Sequence, residues 1–221
     1  MFETVKKNLL RIQEEIAPCK PKIIAVTKYF DEKAMQAAYD AGLRDFGESR
    51  AVEAVEKIAN LPDEVRENSN FHFIGHLQTN KVKHVIKVFD YIHSVDSVKL
   101  AQSISQHASE SGKIQKILIQ INNANEEQKF GFSKETVCEA LAQILQLPAI
   151  EVVGVMNMAP LGLAEDKIAE LFTEIVQIRN TLEKECNCKL PEVSMGMSQD
   201  YKVAARCGAT ILRIGRKLFE Q

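Results

Sequence analysis

The sequence has no tryptophan, only six prolines, and ten glycines among 221 residues. Proline and glycine are too scarce for a collagen-like or linker-rich chain, and 45% apolar with 26% charged residues excludes a disordered one. Neither sign of charge dominates: 28 basic against 30 acidic side chains leave a formal net charge of −2. A chain so near neutral has no global electrostatic reason to seek nucleic acid or an anionic membrane. Long apolar runs are missing too. Stretches such as Ile117-Leu118-Ile119 and Leu145 to Ile150 fall far short of the ~20 residues a membrane helix needs. The start, Met1-Phe2-Glu3-Thr4-Val5-Lys6-Lys7, carries an early acid and no contiguous apolar segment, so it does not read as a secretory signal. The cysteines, Cys19, Cys138, Cys186, Cys188 and Cys207, are odd in number and scattered. They read as reduced thiols, which predicts a cytoplasmic protein. Cys186-Asn187-Cys188 is the one close pair, and without a second pair or a nearby histidine it predicts no metal site.

What is present is an alternation of short β-rich runs with longer helical patterns. The strand candidates are Lys22–Thr27, Leu43–Gly47, Phe71–Gly75, Tyr91–Val95, Lys116–Ile121, Val152–Met156, Glu192–Met195 and Thr210–Ile214. Several are almost continuously apolar, as a parallel strand buried on both faces should be. Apolar residues at Ile168, Leu171, Phe172, Ile175, Ile178 and Leu182 keep helical spacing through 165–182. Residues 133–147 and 97–108 behave similarly, 31–41 is a small-residue helix, and Val5–Ile16 is an extra amphipathic helix before the first strand. Eight strands separated by helices, with no linker or composition shift, predict one (β/α)8 TIM-barrel domain over 1–221. A doubly wound sheet is the competitor, but no G-x-G-x-x-G follows the first strand.

In a parallel α/β fold the working residues sit at the carboxyl ends of the strands. Here those ends carry Lys28, Glu48-Ser49, His76, Asp96, Asn122-Asn123, Asn157, Ser194 to Ser198, and Arg213 to Gly215. Lys28 follows a strand that should be wholly buried, so its amine would emerge in the barrel mouth. Partial desolvation lowers an amine's pKa and prepares it to attack a carbonyl. The plainer reading is a lysine at a strand end, or a counter-ion for Glu48. After the last two strands, Ser194-Met195-Gly196-Met197-Ser198 and Gly208 to Gly215 supply small residues and hydroxyls, and Gly215-Arg216 opens a short helix, Arg216–Phe219. Barrels place phosphate there; a tight structural turn is the alternative. His72 and His76 straddle a strand and its loop and do not form a zinc pair, while His84, His93 and His107 read as surface or core residues. No Ser-His-Asp or Cys-His arrangement has supporting context.

An imine-forming lysine after strand one, with a phosphate cup after strands seven and eight, is what pyridoxal 5′-phosphate requires. The segments Ala25-Val26-Thr27-Lys28, Asp45-Phe46-Gly47-Glu48-Ser49, His72 to Lys81, Ile92 to Asp96, Ser194 to Ser198, and Gly208 to Gly215 span nearly the whole chain. As a set they closely resemble the pyridoxal phosphate homeostasis protein family, whose fold is like the alanine racemase N-terminal barrel (fold type III among pyridoxal phosphate proteins). The resemblance implies that Lys28 carries the cofactor as a Schiff base. It implies that Ser194 holds the phosphate with the Gly215 and Arg216 amides, and that Arg213 faces the pyridine ring. Ser49 and Ser198 complete the implied cofactor-binding set. A guanidinium beside the ring nitrogen would oppose its protonation and weaken the ring as an electron sink. Two departures stand out. The family often has Asn where this chain has Ser49, and it usually continues past Phe219 with Gly and a short tail, where this sequence reads Glu220-Gln221.

The implied function is carriage and homeostasis of pyridoxal phosphate without catalysis, by a monomer whose partners would be apo enzymes that use the cofactor, or a regulatory protein. The alternative is a racemase or lyase using the same cofactor, with weak one-base activity from Lys28. Eight β/α units occupy these residues, leaving no second domain to supply an opposing base. A third reading, a Schiff-base aldolase without cofactor, is permitted by Lys28 and the cup but opposed by the resemblance.

Overall fold

A computed structural model of the chain describes residues 1–124 and 130–220; residues 125–129 and Gln221 lie outside the described residues. Helix α1 (Phe2–Ile16) comes first, followed by β1 (Lys22–Val26), α2 (Glu32–Asp40) and β2 (Asp45–Glu48). Next are α3 (Ala51–Ala59), α4 (Asp63–Glu67), β3 (Asn70–Phe73), α5 (Val82–Val85) and β4 (Tyr91–Val95). Then come α6 (Val98–Glu110), β5 (Gln115–Gln120), α7 (Val137–Ile144) and β6 (Ile150–Met156). The remainder is α8 (Glu165–Glu185), β7 (Glu192–Ser194), α9 (Tyr201–Arg206), β8 (Ile211–Ile214) and α10 (Arg216–Phe219). The eight strands pair in parallel and in chain order, and β1 closes on β8 with Ile24 opposite Arg213. The predicted barrel and its extra N-terminal helix are both present.

Each helix forms for a local reason. In α1 the buried residues Val5, Leu9, Ile12 and Ile16 recur at helical spacing and pack the helix beside α2, α9 and α10. Asp31 caps α2 by accepting from the Ala34 amide, and Ser97 caps α6 by accepting from Leu100. Helices α3, α4, α5 and α9 were not among the expected elements. Three of them have six residues or fewer, too short for a periodic apolar stripe to register. Strand β2 also begins two residues later than its apolar run suggests, because Leu43 packs in the core while Asp45 opens the ladder opposite Asn70.

Most of the core lies between the strands and the helical ring. The barrel interior holds two small apolar clusters instead: Ile24, Val26 and Ile211 on one side, Leu118, Val153 and Met156 on the other. Gly154 lets β6 and β7 approach, since a Cβ there would lie 2.0 Å from the Glu192 carbonyl oxygen. None of the helices among the described residues is long and apolar enough to cross a membrane.

Candidate functional site in the barrel mouth

Side chains alternate along a strand, so Ile24 and Val26 face the barrel interior, and Lys28 follows two residues beyond the end of β1. Lys28 is half-buried in the turn after β1, with its Nζ 5.2 Å from the centroid of the Tyr29 ring, which is 72% exposed. What holds this turn is Lys57, which sequence reasoning did not find. Its ammonium, on α3, donates to the carbonyls of Thr27 and Phe30, each at 2.8 Å, and pairs with Glu48 at 2.5 Å. Glu48 also accepts from the Thr27 hydroxyl at 2.7 Å. The partner of Glu48 is therefore Lys57, not Lys28, and the pair pins both ends of the Thr27–Phe30 turn. The sequence signal was a lysine on the second turn of an unrecognised helix.

Ser49 continues the inward series of β2. Gly47 has no room for a side chain, because a Cβ there would meet Ile24 at 2.8 Å. Gly75 lies against Ser49 so closely that a Cβ would be 2.4 Å from the Ser49 carbonyl oxygen. A cavity of about 480 Å³ opens beside them, lined by Ser49, Arg50, His76, Gln78 and Lys81. His76 is stacked on Phe130 and lies 3.3 Å from Asp96. Asn157 donates to Asn123 and to the Ile121 carbonyl, and Asn123 donates to Glu174 on α8. The two asparagines thus join the ends of β5 and β6 to a helix.

After β7 the chain turns through Gly196 at φ +88°, where a Cβ would strike Ala204. This turn brings Ser198 to the start of α10, where its Oγ accepts from the Gly215 and Lys217 amides, each at 3.3 Å. A cavity of about 300 Å³ adjoins, lined by Asn8, Arg11, Ser198, Gln199, Arg216 and Lys217. Ser194 is not at these amides. It is fully buried, with Oγ accepting from Arg213 Nη1 at 2.7 Å and lying 2.9 Å from His93 Nδ1. The expected cup of Ser194 with Gly215 and Arg216 is thus divided: Ser198 meets the amides and Ser194 meets the guanidinium. Arg213 Nη2 also donates to the Asn157 carbonyl at 2.8 Å.

Two further residues, His72 and His93, were read from sequence only as a strand residue and a surface or core residue. In the barrel they are central. His93 Nε2 lies 2.9 Å from His72 Nδ1, and His72 Nε2 lies 2.9 Å from Asp45. A buried Asp-His-His-Ser series therefore exists where the sequence offered no such context. Burial pulls both imidazoles below the usual histidine range, in His72 against the opposing pull of Asp45. The hydrogen bonds from His72 and Asn70 and the nearby Lys22 ammonium hold Asp45 below the ordinary carboxylate value although burial, the largest single influence, pushes it up. Burial brings Arg213 down to about 10, with Asp200 opposing, so it remains a cation at neutral pH.

Comparison with known proteins agrees with the fold. A family model described as the alanine racemase N-terminal domain matches residues 2–220. The pyridoxal phosphate homeostasis protein of Synechocystis sp. is 38% identical, over 91% of this chain and 92% of the relative. The human protein of the same name is 31% identical, over 98% of this chain and 82% of its own. The structure of PipY from Synechococcus elongatus with PLP bound shares 33% identity and a TM-score of 0.87, covering 97% of this chain and 99% of that one. Alanine racemase of Clostridium difficile has the fold at TM-score 0.78 and 15% identity, and the match covers 57% of its chain.

Removing one member of a buried ion pair leaves the other charge uncompensated, at a cost of about 3–5 kcal/mol. Lys57→Met is expected to lose that much in urea denaturation, and adding Glu48→Leu to recover part but not all, because the Thr27 and Phe30 carbonyls stay unpaired. A single-variant loss below about 1 kcal/mol would show that the pair does not hold the turn.

The histidines give a pH signature. Both are neutral when folded, with lowered pKa, and would protonate near 6.5 once unfolded. Their stabilising contribution is complete above about pH 6.5 and is lost as pH falls from there toward the folded values. The limiting slope is about 1.4 kcal/mol per pH unit for each histidine. The urea midpoint should therefore drop between pH 7 and pH 5, and a flat profile would mean that an imidazole is already protonated in the core.

Proposed function

The chain belongs to the pyridoxal phosphate homeostasis protein family, and from that premise we propose that it binds pyridoxal 5′-phosphate in the barrel mouth and holds it for release, with little or no amino-acid turnover. The observation that carries this reading is the convergence of the Gly215 and Lys217 amides on Ser198 Oγ, at the end of the sheet that also bears Arg213 and Lys28. Backbone donors aimed at one oxygen, together with a hydroxyl, are a donor set suited to a phosphate oxygen. The Lys28 amine at the end of β1 and the buried Arg213 cation complete the fit. The bound cofactor supplies an aldehyde and an electron-withdrawing ring.

The residues then divide the work. Lys28 Nζ would hold the cofactor covalently, on a turn fixed by Lys57. Ser198, with the Gly215 and Lys217 amides, would receive the phosphate, and Ser194 braces Arg213. Arg213, held by Ser194 and the Asn157 carbonyl, would face the ring nitrogen and disfavour a proton there, since like charges repel. Ser49 bounds the ring side of the mouth. Among the described residues, Tyr29 and Phe130 are exposed at that end of the barrel, where apo enzymes of the cytoplasm would take over the cofactor.

One set of measurements on the purified protein tests this. Borohydride reduction after loading should fix the cofactor to the peptide containing Lys28, and label on Lys81 would overturn the assignment. Ser198→Ala should weaken retention of pyridoxal phosphate by ~1–3 kcal/mol and hardly affect pyridoxal, whereas Ser194→Ala should affect both ligands alike. Incubation with L-alanine in deuterated water should give negligible α-deuterium. Incorporation at ~1 s⁻¹ or faster, the lower end of ordinary enzyme rates, would establish the racemase reading instead.

A further inference from the structure

We propose that Asp45, His72 and His93 form a positioning relay that fixes the Arg213 guanidinium through Ser194, along a one-way chain of hydrogen bonds crossing the barrel from floor to mouth. The placement follows from the strands. Asp45 opens β2 at the amino end of the barrel, with 14% of its side chain exposed, beside Lys22 at 3.8 Å. His72, His93 and Ser194 sit on β3, β4 and β7 and are essentially inaccessible to water. Arg213, on β8, is 4% exposed. Four contacts of 2.7–2.9 Å connect the five side chains. The Tyr91 ring, stacked 4.5 Å from His72, holds the first imidazole in plane.

Both ends of this series fix its direction. A carboxylate can only accept and a guanidinium can only donate. Asp45 therefore requires the proton of His72 on Nε2. A neutral His72 then presents a lone pair at Nδ1, so His93 must donate from its own Nε2. A neutral His93 in turn presents a lone pair at Nδ1, so the Ser194 hydroxyl donates to it. The Ser194 oxygen is thereby left as an acceptor, and Arg213 Nη1 donates to it. Reversing any link would require an imidazolium in a site where burial disfavours charge. The remaining groups facing the series are Lys22, Asn70 and Asp90 at the floor and Asp200 near the mouth, and none of them supplies an alternative partner to either histidine.

The neighbouring interior is filled by Ile24, Leu118 and Ile211, so apolar side chains satisfy the packing of this barrel. A polar series in the same space adds orientation: with Ser194 on Nη1 and the Asn157 carbonyl on Nη2, the guanidinium is held at two of its nitrogens. The orientation of Arg213 is thus determined from the opposite end of the barrel. That this matters for a cofactor rests on the proposed function, but the relay itself is a property of the chain without ligand.

The test uses the full-length protein without cofactor, labelled with ¹⁵N in histidine and arginine. Long-range ¹H–¹⁵N correlation at neutral pH should show His72 and His93 neutral, each with its proton on Nε2. A proton on Nδ1 of either, or an imidazolium, would overturn the proposal. Two variants separate positioning from packing. In His93→Gln the amide can donate to His72 and accept from Ser194, whereas in His93→Phe it can do neither. Solvent exchange of the Arg213 guanidinium protons should rise at least tenfold in His93→Phe and stay near wild type in His93→Gln. Equal exchange in the two variants would overturn the positioning role. Because no cofactor is present, a protein that fails to take up pyridoxal phosphate would still give the same tautomers, so the two readings fail separately.

Discussion

Closing eight short parallel strands into a barrel turns every second side chain into a space too narrow for bulk water, and any polar group placed there must find its partner there. This constraint organises the molecule. Where inward residues are apolar, they form the two small clusters around Ile24 and Leu118. Where they are polar, they join one another, from Asp45 through His72, His93 and Ser194 to Arg213. Unpaired, each of these groups would carry the desolvation cost of a buried donor or acceptor. Satisfied together, they leave the interior with one consistent arrangement of protons.

The same alternation explains why Glu48 lies outside the mouth although it ends a strand next to Ser49. It belongs to the outward series, where α3 packs, and Lys57 meets it there. The ion pair does not touch the mouth, yet it sets the turn that does. Thr27 contributes its carbonyl to Lys57 and its hydroxyl to Glu48, and the next residue is Lys28. Under the proposed reading Lys28 would carry the cofactor, and the turn that presents it is tied down by Lys57 from behind the strand.

The strands were legible in the sequence because a strand buried on both faces must be apolar nearly throughout, as Ile117-Leu118-Ile119 is. The mouth was legible because parallel topology assigns function to the carboxyl ends, and Lys28, Ser198, Arg213 and Gly215 all lie there. The short helices α4, α5 and α9 were not, since six residues such as Tyr201–Arg206 carry too little periodicity to stand out. The polar interior was hidden for a different reason. His93 meets Ser194 across 101 positions and Lys57 meets the Thr27 carbonyl across 30, and such contacts exist only once the barrel closes. Ser194 and Ser198 were both visible as hydroxyls in one motif. Which of them faces the amides and which the guanidinium depends on the positive φ of Gly196.

A shared barrel does not by itself assign a reaction, because function lies in the groups placed on the fold. The alanine racemase similarity at 15% identity gives the architecture, and the chemistry has to come from the site. Under the proposed reading the two ends of the cofactor meet opposite conditions. Its ring nitrogen would face a buried cation held from the far side of the barrel, an arrangement that limits the stabilisation of a substrate carbanion. Its aldehyde end would sit on a half-buried lysine beside an exposed tyrosine, where water and amines have access. A site that is firm around Arg213 and open around Lys28 retains a ligand by its fixed contacts and yields it through exchange at the accessible bond. Under the proposed reading that combination suits storage and transfer, whereas turnover gains from shielding the reacting carbon from water.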